Sequence, residues 1–116
     1  MSKNKLLILA LLVVLITAFV TLFINTASIN PVPKNELESA INQAIHLYSL
    51  RKQGSEDLSL GPCLSDALMP NWVVDLVHNP RQPADDLKEN QCHSYLEGRA
   101  QHFVELDLKG NLVRAQ

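Results

Sequence analysis

An uninterrupted apolar segment near the start of the chain limits the possible folds more than any other feature of the sequence. It reads LLILALLVVLITAFVTLFI from Leu6 to Ile24 and contains no charged residue, proline or glycine. As a helix, its 19 residues rise about 28 Å, close to the roughly 30 Å hydrocarbon core of a bilayer. A helix in a soluble core needs only one apolar face, whereas this segment is apolar all round. The sequence therefore predicts a transmembrane helix over residues 6–24.

A cleavable signal peptide is the main alternative for this segment. The apolar part of a signal peptide is about 7–15 residues long and is followed by small residues before the cut. The segment is longer than that, and the best cleavage candidate, Thr26-Ala27-Ser28, matches the pattern only in part. We therefore expect an uncleaved anchor, and cleavage after about Ser28 would instead yield a secreted protein.

The flanking charges predict the orientation of the helix. Lys3 and Lys5 precede the apolar segment, and the next cation after it is Lys34. Cytoplasmic flanks carry the excess of Lys and Arg. We expect a single-pass membrane protein with a cytoplasmic N-terminus and an extracytoplasmic remainder, either periplasmic or on the cell surface.

The remainder of the chain is mildly acidic. Lys3 and Lys5 are two of the 10 Lys/Arg residues, whereas all 12 Asp/Glu residues follow the apolar segment, so residues 25–116 carry a formal charge of −4. Aromatic residues make up only 5% of the chain, and no basic stripe is present. These features argue against nucleic-acid binding, which needs a basic surface.

The two cysteines, Cys63 and Cys92, both lie in the part expected outside the cytoplasm. An even pair of cysteines in an oxidising compartment is typical of a disulfide. Closing a loop of about 30 residues would contribute roughly 3–4 kcal/mol. Free thiols acting in redox chemistry are less expected because the chain has no C-x-x-C motif.

Two prolines separate the apolar segment from the rest of the chain. Pro31 and Pro33 favour extended backbone, so residues 25–34 are predicted to be a linker. The predicted organisation is a cytoplasmic tip and transmembrane anchor at 1–24, the linker at 25–34, and one small extracytoplasmic domain at 35–116.

An amphipathic helix is predicted over residues 35–53. Asn35 followed by Glu38 resembles a capping box, and Gly54 is a suitable C-cap. One face of this helix carries the apolar residues, at helical spacing: Leu37, Ile41, Ala44, Ile45 and Tyr48.

Strand patterns follow this helix. Residues 55–70 are predicted to be a loop, 72–77 a strand, 84–96 a region with a short helix, 99–107 a second strand, and 112–115 the return of a hairpin after the turn at 109–111. The predicted fold class is α+β, with one helix packed on a small antiparallel sheet of about three strands.

Four sequence blocks carry a resemblance to known proteins: GPCLS at 61–65, WVVDLVHNPRQ at 72–82, NQC at 90–92 and HFVELDLKGN at 102–111. They resemble a group of short membrane-anchored bacterial proteins of unknown function, which implies no activity. The order of a helix followed by a hairpin is also loosely similar to PepSY-type domains. The long disulfide-bearing insertion departs from that pattern, so no inhibitor role is carried over.

The polar stretch after the 72–77 strand is the predicted binding loop, formed by His78, Asn79, Arg81, Gln82, Asp85 and Asp86. A loop at the end of a strand is presented on a rigid scaffold. Arg81 could hold a carboxylate or phosphate, and the two aspartates a cation or a basic partner. The favoured alternative is that Arg81 pairs with Asp85 or Asp86 and only fixes the loop.

Metal binding and catalysis have weaker support. His78, His93 and His102 with Asp85 or Asp86 could form a metal site, but no pair has close ligand spacing. No nucleophile with an evident base is present. We therefore expect no metal, no cofactor and no catalytic residue.

No motif in the sequence indicates a specific activity. We expect a membrane-anchored binding or interaction module, such as an accessory subunit of an envelope complex with an unknown protein partner. Two alternatives remain open: a small metal-binding protein or enzyme using the 78–86 loop, and a secreted protein.

Overall fold

The computed structural model describes residues 1–26 and 31–116, and it divides the chain into two compact units, Met1–Pro31 and Val32–Gln116. Residues 27–30 lie outside the described residues. Most of the candidate cleavage site and part of the predicted linker fall there.

The first unit is a single helix, α1, from Lys3 to Thr26. The segment Lys3–Ile24 is long enough and apolar enough to cross a membrane, and none of it is buried within the protein. A signal sequence would meet the same criterion. The hydroxyl groups of Thr17 and Thr21 donate to carbonyl oxygens one turn earlier, at 2.9–3.0 Å, so they are satisfied within the helix.

The second unit begins with helix α2, Lys34–Gln53. The predicted capping box is wrong, because the helix starts one residue earlier and Pro33 is the N-cap. Pro33 has φ −56°, and its carbonyl accepts the Leu37 N–H at 3.0 Å, so it serves as the start of the helix. Gly54 ends the helix as predicted.

A four-stranded sheet forms the rest of the scaffold, in the order β1 (Cys63–Met69), β2 (Trp72–Val77), β3 (His102–Asp107) and β4 (Leu112–Ala115). The predicted loop at 55–70 is wrong in its second half, which is β1. The tight turn to β2 has Asn71 at φ +71°.

The sheet is mixed, not antiparallel. β1–β2 and β3–β4 are antiparallel hairpins, but β2 and β3 run parallel. Parallel neighbours need a connection of a dozen or more residues, and residues 78–101 provide one. This crossover contains two short 3₁₀ turns, Pro83–Asp86 and Lys88–Asn90, and the one-turn helix α3, His93–Leu96. The α+β fold class is confirmed.

The two faces of the sheet have different coverings. One face, with Trp72, Val74, Leu76, Val104 and Leu106, packs on helix α2 and forms the main core. Helix α2 contributes residues four apart to this core: Ala40, Ala44 and Tyr48. Ile45, predicted on the apolar face, remains exposed.

The crossover lies over the opposite face of the sheet. A smaller core there combines Val73 and Phe103 with Cys92 and Ala100 from the crossover. The predicted Cys63–Cys92 disulfide is present, with the two Cα atoms 4.9 Å apart. It ties the crossover to the first residue of β1. We call this side of the sheet the disulfide face.

Candidate functional site

The predicted loop at 78–86 is held together by its own hydrogen bonds. The His78 ring places Nδ1 2.8 Å from Asp85 Oδ1 and Nε2 2.9 Å from the Ser59 carbonyl oxygen. Both ring nitrogens are therefore occupied by protein oxygens. His78 thus has no ring nitrogen left for a metal or a substrate.

Asp85 is the centre of this loop and is 1% exposed. Its carboxylate accepts the backbone N–H groups of Gln82 at 2.8 Å and His78 at 3.1 Å, in addition to the His78 ring. Burial acts to raise the pKa of Asp85, but the hydrogen bonds from Gln82 and His78 outweigh it and lower that pKa. Asp85 is a structural anion, not a free ligand.

Arg81 leaves the loop and reaches back over the disulfide face. Its guanidinium donates to Asp86 Oδ1 at 2.9 and 3.1 Å and lies 3.6 Å from Glu105 Oε1. The pairing with Asp86 agrees with the structural interpretation of the loop. Asn79 and Gln82 instead border a separate depression with Asp107 and Lys109.

The histidines do not form a metal site with one another. His102 stacks on Trp72, with ring centroids 4.9 Å apart, whereas His93 begins α3. Within residues 1–26 and 31–116, the metal-ligating side chains close enough to share an ion are Cys63, Asp66 and Cys92. Because both of these thiols are consumed in the disulfide, this group lacks thiolate ligands.

A row of charged side chains crosses three strands of the disulfide face. The strand register pairs Asp75 with Glu105 and Glu105 with Arg114, and on β1 the partner of Asp75 is the disulfide-bonded Cys63. The next row pairs Val73 with Phe103. A charged row thus lies directly beside an apolar one.

The crossover encloses these rows in a cavity of about 200 Å³, which we call the disulfide-face cleft. Tyr95 of α3 forms one wall, with its ring edge-on to Phe103 at 5.1 Å. The cleft is lined by Val73, Asp75, Arg81, Gln91, Cys92, Tyr95, Phe103, Glu105, Arg114 and Gln116.

Glu105 and its partners form the outer part of the charged row. Glu105 is buried, and its Oε1 atom accepts a hydrogen bond from Arg114 Nη2 at 3.0 Å and lies 3.6 Å from Arg81 Nη1. The Arg114 guanidinium also lies 4.8 Å from the centre of the Phe103 ring, at cation–π distance. Glu105 is therefore well compensated.

Asp75 is less well compensated, because a backbone hydrogen bond from Leu76 and the charge of Arg81 act to lower its pKa but are outweighed. Its Oδ1 atom is buried and has no hydrogen-bond partner among the described residues. Burial, and then the negative charge of Glu105, raises the pKa of Asp75 to about 7. A largely buried carboxyl oxygen without a partner is uncommon in proteins and is often found where a ligand binds.

Sequence reasoning missed the disulfide-face cleft except for Arg81 and the disulfide. An acidic residue inside each of two apolar strands, WVVDLV and HFVELD, was the available signal, because buried acids are costly. The sequence could not show that Asp75 and Glu105 are neighbours, since their pairing depends on the parallel register of β2 and β3.

Comparisons of the chain with protein-family models, with curated proteins and with solved structures found no match.

Proposed function

We propose that this protein is a membrane-anchored binding module that takes its ligand in the disulfide-face cleft. The observation that carries this proposal is Asp75, which lines a cavity of about 200 Å³ and whose buried Oδ1 atom has no hydrogen-bond partner among the described residues. Leaving such an atom unsatisfied costs on the order of 1–3 kcal/mol. A ligand that donates a hydrogen bond to Asp75 recovers this free energy and so favours binding.

The location of the module is part of the proposal. The apolar helix α1 supports a single-pass anchor, and the Cys63–Cys92 bond supports an oxidising, extracytoplasmic compartment. Lys3 and Lys5 before the apolar segment favour a cytoplasmic N-terminus. In this arrangement the cleft is displayed outside the cytoplasm, where an accessory subunit of an envelope complex would meet its partner.

The alternatives have less support. A metal site or enzyme at the 78–86 loop would need free side chains, but His78 and Asp85 bind each other and Arg81 binds Asp86. A secreted form requires cleavage near Ser28. The intact mass of the protein from a membrane fraction tests this, since a mass without the apolar segment would contradict the anchor.

Site-specific photo-crosslinking in native membranes tests the cleft. The full chain would carry p-benzoylphenylalanine either at Tyr95, in the wall of the cleft, or at His46, which is exposed on α2. We expect an adduct at position 95 that is lost in an Asp75→Ala background, and none at position 46. Equal labelling at both positions, or no adduct at position 95, would contradict a binding role for the cleft.

A further inference from the structure

We infer that the disulfide-face cleft selects a primary ammonium group on an apolar stem, with Asp75 as its acceptor and Tyr95 beside the stem. This inference rests on the proposed binding function and adds the chemical class of the ligand.

No cation in the cleft is paired with Asp75. Among the described residues, the charged side chains that line the cleft are two carboxylates, Asp75 and Glu105, and two guanidinium groups, Arg81 and Arg114. Both arginines form their ion pairs with Glu105 or Asp86. Asp75 is therefore the lining carboxylate that is left without an ion pair.

The available acceptor favours ammonium over other cations. A guanidinium binds best to two acceptors in a plane, and a divalent metal needs several oxygen ligands. Glu105 is already held by arginines, so the carboxyl group of Asp75 is the charged acceptor that remains among the described lining residues. A compact ammonium group can pair with one carboxyl group in this way, and a few neighbouring acceptors or waters can accept its other hydrogen bonds.

The size and walls of the cleft fit a short aliphatic chain. Its volume of about 200 Å³ is below the roughly 300–1,000 Å³ of sites for drug-sized ligands. Beside the charged row lie the side chains of Val73, Phe103 and Tyr95 and the disulfide sulfur of Cys92. The methylene stem of a lysine-like group packs against such a surface while its charged end meets a carboxylate.

A proton and the ammonium group compete for Asp75. The protonated carboxyl is neutral and needs no cation, so an ammonium ligand requires the ionised form. The pKa of Asp75, raised to about 7 by burial and by Glu105, places this competition near neutral pH. The charged or titratable groups facing Asp75 from the surrounding elements are Glu105, Arg81, Asp85, Arg114 and Tyr95.

The test measures binding of defined amines to the full chain in nanodiscs of uncharged lipid. The probes are Nα-acetyl-lysine methylamide, which represents a lysine side chain, and n-butylamine, which represents a free amine. Nα-acetyl-norleucine methylamide has a similar stem without the ammonium group and is the matched control. We expect the lysine probe to bind at least tenfold more tightly than the norleucine probe.

Two further measurements tie this preference to Asp75. Asp75→Asn, which keeps the shape of the side chain, should weaken binding of the lysine probe at least tenfold. Glu38→Gln, which makes the same charge change at an exposed position on α2, should leave it within twofold. In the unmodified chain, affinity should rise by up to tenfold per pH unit below pH 7 and level off above it.

The outcomes separate this inference from the proposed function. Comparable binding of the lysine and norleucine probes, or unchanged affinity in Asp75→Asn, would overturn the ammonium inference. If the crosslink at position 95 is still formed in that case, the cleft binds a ligand of another class. Loss of both the crosslink and the amine binding would overturn the two together. A preference for n-butylamine over the lysine probe would assign the site to free amines.

Discussion

Asp75 lies directly opposite Glu105 on the neighbouring parallel strand, yet the two carboxyl groups have opposite surroundings. Glu105 is in contact with Arg81 and Arg114, whereas Asp75 Oδ1 has no partner among the described residues. A like charge next to a poorly compensated acid raises the free energy of the ionised form. The pair is thus a local source of instability that protonation of Asp75 relieves.

Replacing Asp75 should change how stability depends on pH. The folded state holds the Asp75 proton up to about pH 7, whereas the unfolded chain releases it near 3.8. Between these values the folded state binds more protons, so the free energy of unfolding falls as pH rises. Asp75→Asn should remove this dependence and be more stable than the unmodified chain at pH 8, by roughly 1–3 kcal/mol. Urea unfolding at pH 5 and pH 8 measures both effects. An unchanged pH slope would contradict the assignment.

Asp85 should contribute to the pH dependence of stability with the opposite sign to Asp75. Its pKa is lowered in the folded state, so its contribution to stability is present above the ordinary pKa and is lost as pH falls through the folded value. Asp85→Ala should destabilise the domain at pH 7 by about 2–4 kcal/mol, because it removes the acceptor of the His78 ring and of the backbone N–H groups of His78 and Gln82. Asp86→Ala, at an exposed ion pair with Arg81, should cost under about 1 kcal/mol. Thermal or urea unfolding measures the two losses of stability. Equal losses in the two variants would contradict a structural role for Asp85.

Two glycines with similar backbone conformations provide a matched test of the packing under α2. Gly110 and Gly98 have φ of +86° and +74°, but a Cβ atom at Gly110 would overlap the Tyr48 ring, whereas one at Gly98 meets nothing within 4 Å. The Tyr48 hydroxyl donates to the Leu108 carbonyl at 2.7 Å, which holds the ring in place. We expect Gly110→Ala to cost about 2–4 kcal/mol and Gly98→Ala about 1 kcal/mol. Denaturant unfolding of both variants measures the difference, and equal costs would contradict the predicted contact.

The disulfide should stabilise both the domain and the cleft. Cys63 and Cys92 are 29 positions apart, so the crosslink should contribute about 3–4 kcal/mol by restricting the unfolded chain. Replacing both cysteines with serine should lower stability by about that amount, as measured by urea unfolding. Alkylation and mass spectrometry of the natively exported protein should find no free thiol. Two free thiols would contradict the bond and the proposed location.

Much of the local structure followed from sequence periodicity. The spacing of Ala44 and Tyr48 predicted helix α2, and alternation predicted β2 and the β3–β4 hairpin. Strand β1 was missed because Pro62, Gly61 and Pro70 around CLSDALM resemble a loop. Its strand conformation is instead stabilised by pairing with β2, an interaction that local propensity does not include.

The sequence by itself determined the features that depend on neighbouring residues. The apolar segment and helix α2 are of this kind, because the periodicity of residues within one helix predicts them. The cysteine pair was also predictable, because a single covalent bond joins its two residues. Tertiary structure alone decided which polar groups meet. The parallel register of β2 and β3 places Asp75 beside Glu105, and the crossover brings Arg81 and Tyr95 over them. Charges that are 30 residues apart in sequence interact through space, so the cleft exists only once the sheet has formed.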